Sequence, residues 1–305
     1  MAQVISILQA VLPVFAALFL GTLCRKTGFI SRDGIDALKK VVVNITLPAV
    51  LFGAFATAEY SVSTIAVPVV TYLLCLVILG VGFLLTKLFR IHLRVAPFFA
   101  TGFEAGMLGY ALFALLFPGE SASKFAILDL GQTLFVFTAF KILISGKTDW
   151  KSIGRDMVTS PILWAVGIGV VFGATGLYTL LLPSGVSGVI TGITDFVAAP
   201  TGMIILLTVG YDLVLGEISW SKTIRLIVLR LLAMAVFVAA WVLINRTLMH
   251  NLLFEGAIVL MAILPPPYVI PIFADNPQDR SQVSSSLSAL TLTCVLLFVL
   301  LCIFL

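Results

Sequence analysis

The sequence predicts an all-α integral membrane protein of ten transmembrane helices, and three observations predict it. The chain is 61% hydrophobic and 10% charged, with a mean hydropathy of +1.19; soluble domains carry roughly 45–50% apolar and about 25% charged residues. Apolar runs of about 20 residues, the length that crosses a bilayer core, recur from one end to the other. Lysine and arginine gather in alternate connections, which is how a multi-pass chain sets its orientation.

The runs lie near 4–23, 37–57, 65–86, 95–117, 123–145, 157–177, 189–212, 223–244, 252–274 and 283–305. The first lacks a basic leader and has the length of a span that is retained, so no cleaved signal peptide is expected. Arg25, Lys26, Arg32, Lys39 and Lys40 follow span one, and Lys87, Arg90 and Arg94 follow span three. Lys141, Lys147, Lys151 and Arg155 surround the connection after span five; Lys222 and Arg225 follow span seven, and Arg280 follows span nine. The other connections hold only Lys124 and Arg246. That asymmetry predicts a plasma-membrane protein with both termini outside. The net charge of +4 says little about nucleic acid; its placement along the chain matters more, and no nucleic-acid partner is expected. Cys24, Cys75, Cys294 and Cys302 stand apart with only His92 and His250 for company, so neither a metal nor a disulfide framework is expected. No nucleophile–base pair or nucleotide motif is present, which argues against an enzyme, and no cofactor is expected.

Internal repetition divides the chain. Pro48 and Pro200 sit mid-span among small residues in spans two and seven, at a separation of 200 − 48 = 152; Gly21 and Gly173 in spans one and six repeat it, 173 − 21 = 152. Each half then holds five spans, and an odd number turns the second half upside down, the inverted-repeat plan of many secondary transporters. The expected organisation is a first repeat over 1–146, a cytoplasmic linker over 147–156 and a second repeat over 157–305.

The fourth span of each half is the unusual one. Span nine contains "MAILPPPYVIPIFADN", with Pro265, Pro266, Pro267 and Pro271 in a stretch apolar enough for lipid. Each proline removes a backbone donor and costs about 3 kcal/mol or more inside a helix. Span four reads "RVAPFFATGFEAGMLGYALF", with Gly102, Gly106 and Gly109 around Glu104. Non-helical backbone survives at membrane depth only where protein or a wet cavity surrounds it. Paired interruptions of this kind mark a substrate site near the bilayer midplane.

The segments "GFEAGMLG", "LPAVL" in span two, "DLGQTLFVF" in span five and "AAPTGMIILLTVGYDL" in span seven, taken in order, resemble the auxin efflux carrier family with its bacterial organic-acid permeases. The likeness runs over essentially the whole chain. It implies that broken helices four and nine cross at the centre. It implies a static scaffold of spans one, two, six and seven, a common source of homodimer contacts, and a transport domain of spans 3–5 and 8–10 that moves as an elevator. The implied substrates are small mono- or dicarboxylates. The family usually has Asn before the glycines of helix four and a proline after them; Glu104 and Ala111 stand there instead. An ionised Glu repels a carboxylate, whereas a protonated one can donate to it, so this departure argues either against an anionic substrate, leaving a cationic one open, or for proton coupling.

The expected substrate-binding residues are Glu104, Ala105, Gly106, Met107, Pro265, Pro266, Pro267 and Tyr268 from the two breaks. Asn44, Thr46 and Pro48 of span two and Thr201 of span seven are the candidates for the scaffold side; the alternative for Asn44, Thr46 and Thr201 is that they only support the proline kinks. Glu104 with Asp129 and Gln132, which lie one turn apart on one helix face, forms the expected site for H+ or Na+ coupling. The alternative for Asp129 and Gln132 is plain helix–helix hydrogen bonding. Lys141 and Arg230 are expected to snorkel to the cytoplasmic face, and Asp195 to be solvated near the outer end. A carrier is the first functional reading, a membrane sensor that binds a small molecule without flux the second, and a channel the third.

Overall fold

The computed structural model describes residues 2–58, 60, 62–146, 150–213, 219–274 and 277–304, and all regular structure among them is helical. In chain order the helices are α1 (Ala2–Thr27), α2 (Arg32–Val41), α3 (Leu47–Ala56), α4 (Val62–Leu88), α5 (Tyr110–Leu116), α6 (Ser123–Phe135), α7 (Lys141–Ser145) and α8 (Trp150–Thr159). They continue as α9 (Pro161–Ala174), α10 (Leu177–Leu180), α11 (Val186–Ala198), α12 (Thr201–Asp212), α13 (Trp220–Thr247), α14 (Glu255–Ile263) and α15 (Pro277–Phe304).

Among the described residues, six helical stretches are long and apolar enough to cross a membrane: Arg32–Ala56, Ala66–Leu88, Ser123–Ser145, Val186–Asp212, Trp220–Thr247 and Gln278–Phe304. They fall on the expected spans two, three, five, seven, eight and ten. Span one corresponds to α1, a helix of 26 residues. Span six is shorter than expected. Ser160 accepts from the Leu163 N–H and Pro161 occupies the first turn, so α9 starts at 161 and runs 14 residues, about 21 Å at 1.5 Å per residue. The expected linker is partly helical: α8 begins at Trp150, while 147–149 lie outside the described residues.

Local chemistry explains the joints. Ser31 caps α2 by accepting from the Gly34 N–H at 3.1 Å. Pro48 has no N–H to donate back into the turn before it, and a wide π turn over Val42–Thr46 joins α2 to α3 there. Pro200 lies in the short turn between α11 and α12, with the Thr201 hydroxyl donating to the Ala198 carbonyl at 2.6 Å.

The chain forms two compact units. The first comprises 1–65, 106–127 and 151–212. Within it, α1 lies along α12 and α3 along α9, at glycine contacts where backbones touch. A Cβ added at Gly210 would sit 2.6 Å from the Leu18 Cα, and one at Gly169 2.9 Å from the Phe55 Cβ. Membrane helices associate through such small residues because lipid offers no hydrophobic drive to pair them. The Thr22 hydroxyl reaches the Gly210 carbonyl at 2.9 Å, and Asp212 at the end of α12 pairs with Arg32 at 2.6 Å and with Lys39.

The second unit comprises 66–105, 128–150 and 213–305, and it contains both interruptions. In span four a tight 3-10 turn over Ala96–Ala100 gives way to extended backbone at Thr101, and helix resumes only at the wide turn Ala105–Gly109. Gly102 has φ +70°, and a Cβ there would lie 2.8 Å from the Pro267 Cγ. Both conditions call for glycine. In span nine α14 stops at Ile263, Leu264 is extended, and a short 3-10 turn over Ile270–Phe273 follows the prolines. The chain is therefore unwound in both segments that the prolines and glycines predict.

Candidate functional site

Unwinding frees backbone groups that lipid cannot satisfy, and the two breaks satisfy each other. The Glu104 N–H donates to the Pro265 carbonyl at 2.9 Å. The Tyr268 N–H in turn donates to the Glu104 carboxylate (Oε2) at 2.7 Å. One residue of span four thus accepts from and donates to span nine, and Glu104 takes a hydrogen bond that a helix would have kept internal. Pro265, Pro266 and Pro267 are buried, Ala105 is buried, and Glu104 and Tyr268 are half-buried. The Tyr268 hydroxyl shares a hydrogen bond with Thr291 Oγ1 on α15 at 2.9 Å.

Helix α6 supports the first break from a second side. Gln132, 4% exposed, accepts from the Phe103 N–H through Oε1 at 3.3 Å and donates from Nε2 to Asp129 Oδ1 at 2.7 Å. The Thr133 hydroxyl donates to the same carboxylate oxygen at 3.1 Å. Gln132 therefore links Asp129 to the break, one residue away from Glu104.

A third support is a residue with another expected place. Arg230 does not snorkel: it is 2% exposed, near the middle of α13. Its Nη1 donates to the carbonyls of Gly102 at 2.9 Å and Phe99 at 3.2 Å, and its Nη2 to the carbonyl of Leu264 at 2.8 Å. The guanidinium carbon lies 5.0 Å from the centroid of the Phe103 ring, a cation–π distance. Arg230 begins ten residues after Trp220, about 15 Å along the helix, which is deep for a side chain to reach back to water. That depth was the available signal. The acceptors were not visible, because they are main-chain atoms released only by the breaks.

The remaining expected residues lie in the first unit. Thr46, 4% exposed, closes the wide turn before Pro48, and its hydroxyl has no hydrogen-bond partner among the described residues. Pro48 is half-buried in the first turn of α3. Gly106 sits beside Leu47, with an added Cβ 3.3 Å from its Cδ2; Met107 is part of the same wide turn. Asn44 is exposed and donates to the Lys40 carbonyl at 2.8 Å. Thr201 lines a largely apolar cavity of about 380 Å³ with Val50, Tyr110, Ala111, Glu120 and Gly202; Thr46 and Pro48 are not among its lining. A second cavity, about 360 Å³, runs between α3 and α11 past Thr191, Thr194 and the exposed Asp195. Tyr110 and Glu120 were missed in the sequence, where nothing marks them apart from ordinary span-end residues.

Residues 6–137 match the model of a family described as membrane transport protein. Over 292 residues, 91% of this chain and 91% of the relative, the protein is 26% identical to an uncharacterized transporter of Methanothermobacter thermautotrophicus. Together they bear out the resemblance drawn from the motifs, and they point to a membrane transporter and away from an enzyme.

Proposed function

We propose that the protein is a secondary transporter that carries a small organic anion, a mono- or dicarboxylate, by elevator-type alternating access. Its ten crossings form two inverted five-helix repeats, with helices four and nine crossing near the bilayer midplane. The observation that carries this reading is the mutual hydrogen bonding of the two breaks through Glu104, Pro265 and Tyr268. Backbone is unwound inside lipid only where it is held by protein or faces a cavity, and two held breaks are what a midplane solute site requires.

Support for the repeat comes from the first unit. The separation that relates Gly21 to Gly173 also relates Phe55 to Leu207, 207 − 55 = 152. A Cβ at Gly21 would overlap the Leu207 carbonyl oxygen, and one at Gly173 would lie 2.6 Å from the Phe55 carbonyl oxygen. Each glycine thus meets the repeat-mate of the residue that the other one meets, as a two-fold exchange of halves demands.

In the proposed mechanism, the N–H groups and positive dipole end at the start of the segment from Ala105 receive the substrate carboxylate. Glu104 is the proton-coupling residue. Its ionised form accepts the Tyr268 N–H strongly, and protonation weakens that link between the breaks. Asp129 and Gln132 hold the first break in register for this exchange. Solute counterflow in proteoliposomes tests the assignment. Saturable exchange of a carboxylate supports a carrier; binding without exchange would make the protein a sensor, and unsaturable leak would make it a channel.

A further inference from the structure

Carbonyls freed by broken helices are the usual ligands of a coupling cation in carriers built this way. Here three of them, Phe99, Gly102 and Leu264, all accept from one side chain, Arg230 of α13. They come from both breaks, two from the first and one from the end of α14. The Leu264 carbonyl lies at the negative dipole end of α14. The guanidinium fork spans acceptors on two separate segments at once, and the Phe103 ring covers it at 5.0 Å. Guanidinium stays charged and is only weakly hydrated, which suits it to a buried place.

We propose that Arg230 is a resident cation at the meeting point of the two breaks, filling the carbonyl cage that a metal cation would otherwise take, so that transport needs no Na+. This rests on the transporter reading and deepens it: the coupling ion left for such a site is the proton. Arg230 is a positioning residue in this account. It fixes the spacing of Gly102 and Leu264, and with them the approach of Glu104 to Pro265.

Two measurements test it on the full chain in nanodiscs. In the first, thermal unfolding is followed in sodium, potassium and choline chloride at equal ionic strength, with and without low-millimolar guanidinium. The wild type should show one Tm in all of them. Arg230→Ala should unfold at lower temperature and regain part of the loss with guanidinium or Na+ over choline, because a mobile cation can enter the emptied cage and stabilise by mass action. Arg230→Lys, which keeps the charge and loses the fork, should fall between them. A wild-type Tm that rises with Na+ over choline would overturn the proposal, as would an Arg230→Ala protein with wild-type Tm or with a lowered Tm that no cation moves. In the second, wild-type counterflow is measured in sodium and in choline. Equal rates are expected, and Na+-dependent exchange would overturn it even if neither variant folds. Absence of any counterflow would remove the transporter reading while leaving the Tm test of the cage intact.

Discussion

The glycine-lined helix pairs of the first unit and the paired breaks of the second solve one problem by opposite means. Along α1–α12 and α3–α9 the helices stay whole; Gly21 and Gly210 face bare backbone, and Gly169 and Gly173 face backbone together with the Phe55 and Tyr60 side chains. At the breaks the helices come apart, and polar side chains replace what was lost: Glu104 for one amide, Gln132 for another, Arg230 for three carbonyls. The first arrangement is specified by volume and the second by hydrogen bonds. Mutations should therefore act differently in the two places.

The largest effect is expected where both kinds of constraint coincide. Gly102→Val places a β-branched residue at φ +70° against Pro267. The left-handed conformation costs about 1–2 kcal/mol and overpacking about 1–3 kcal/mol more, so thermal unfolding should drop sharply or the protein should fail to accumulate. Next come Gly21→Leu and Gly173→Leu, each forcing backbones apart, with a destabilisation of about 1–3 kcal/mol. Their effects should be similar if the 152-residue relation reflects a true repeat; a large loss in one and none in the other would break the comparison. Gln132→Leu removes a single buried acceptor and donor, for about 1–3 kcal/mol by unsatisfied-group reasoning, or nearer 0.6 kcal/mol by membrane averages. Measured unfolding in nanodiscs decides which scale applies at a break. Asn44→Ala, on an exposed side chain, should change Tm least, within about 0.5 kcal/mol.

Much of this was legible in the sequence because prolines and glycines constrain the backbone directly. Three consecutive prolines cannot continue a helix, so the unwinding after Ile263 was predictable, and Gly102 next to a lone acid marked the other break. Pro48, mid-span among small residues, follows a wide π turn over Val42–Thr46. Partners were not legible. Glu104 and Tyr268 are 164 residues apart, and a main-chain donor leaves no trace in residue identity. Arg230 was misplaced for the same reason, since an arginine within a span reads as snorkelling until the carbonyls that hold it are known. The short start of α9 was readable in "TSPIL", a Ser–Pro cap signal, and was overrun by the apolar window around it.

In the proposed mechanism Glu104 joins the two breaks in a proton-dependent way. The most direct measurement is carboxylate counterflow from pH 5 to pH 8 for the wild type and Glu104→Gln, with folding of the variant checked by thermal unfolding. Wild-type exchange should change with pH, and the folded variant should exchange at a rate independent of it. A folded Glu104→Gln protein that keeps the wild-type pH profile would contradict the account.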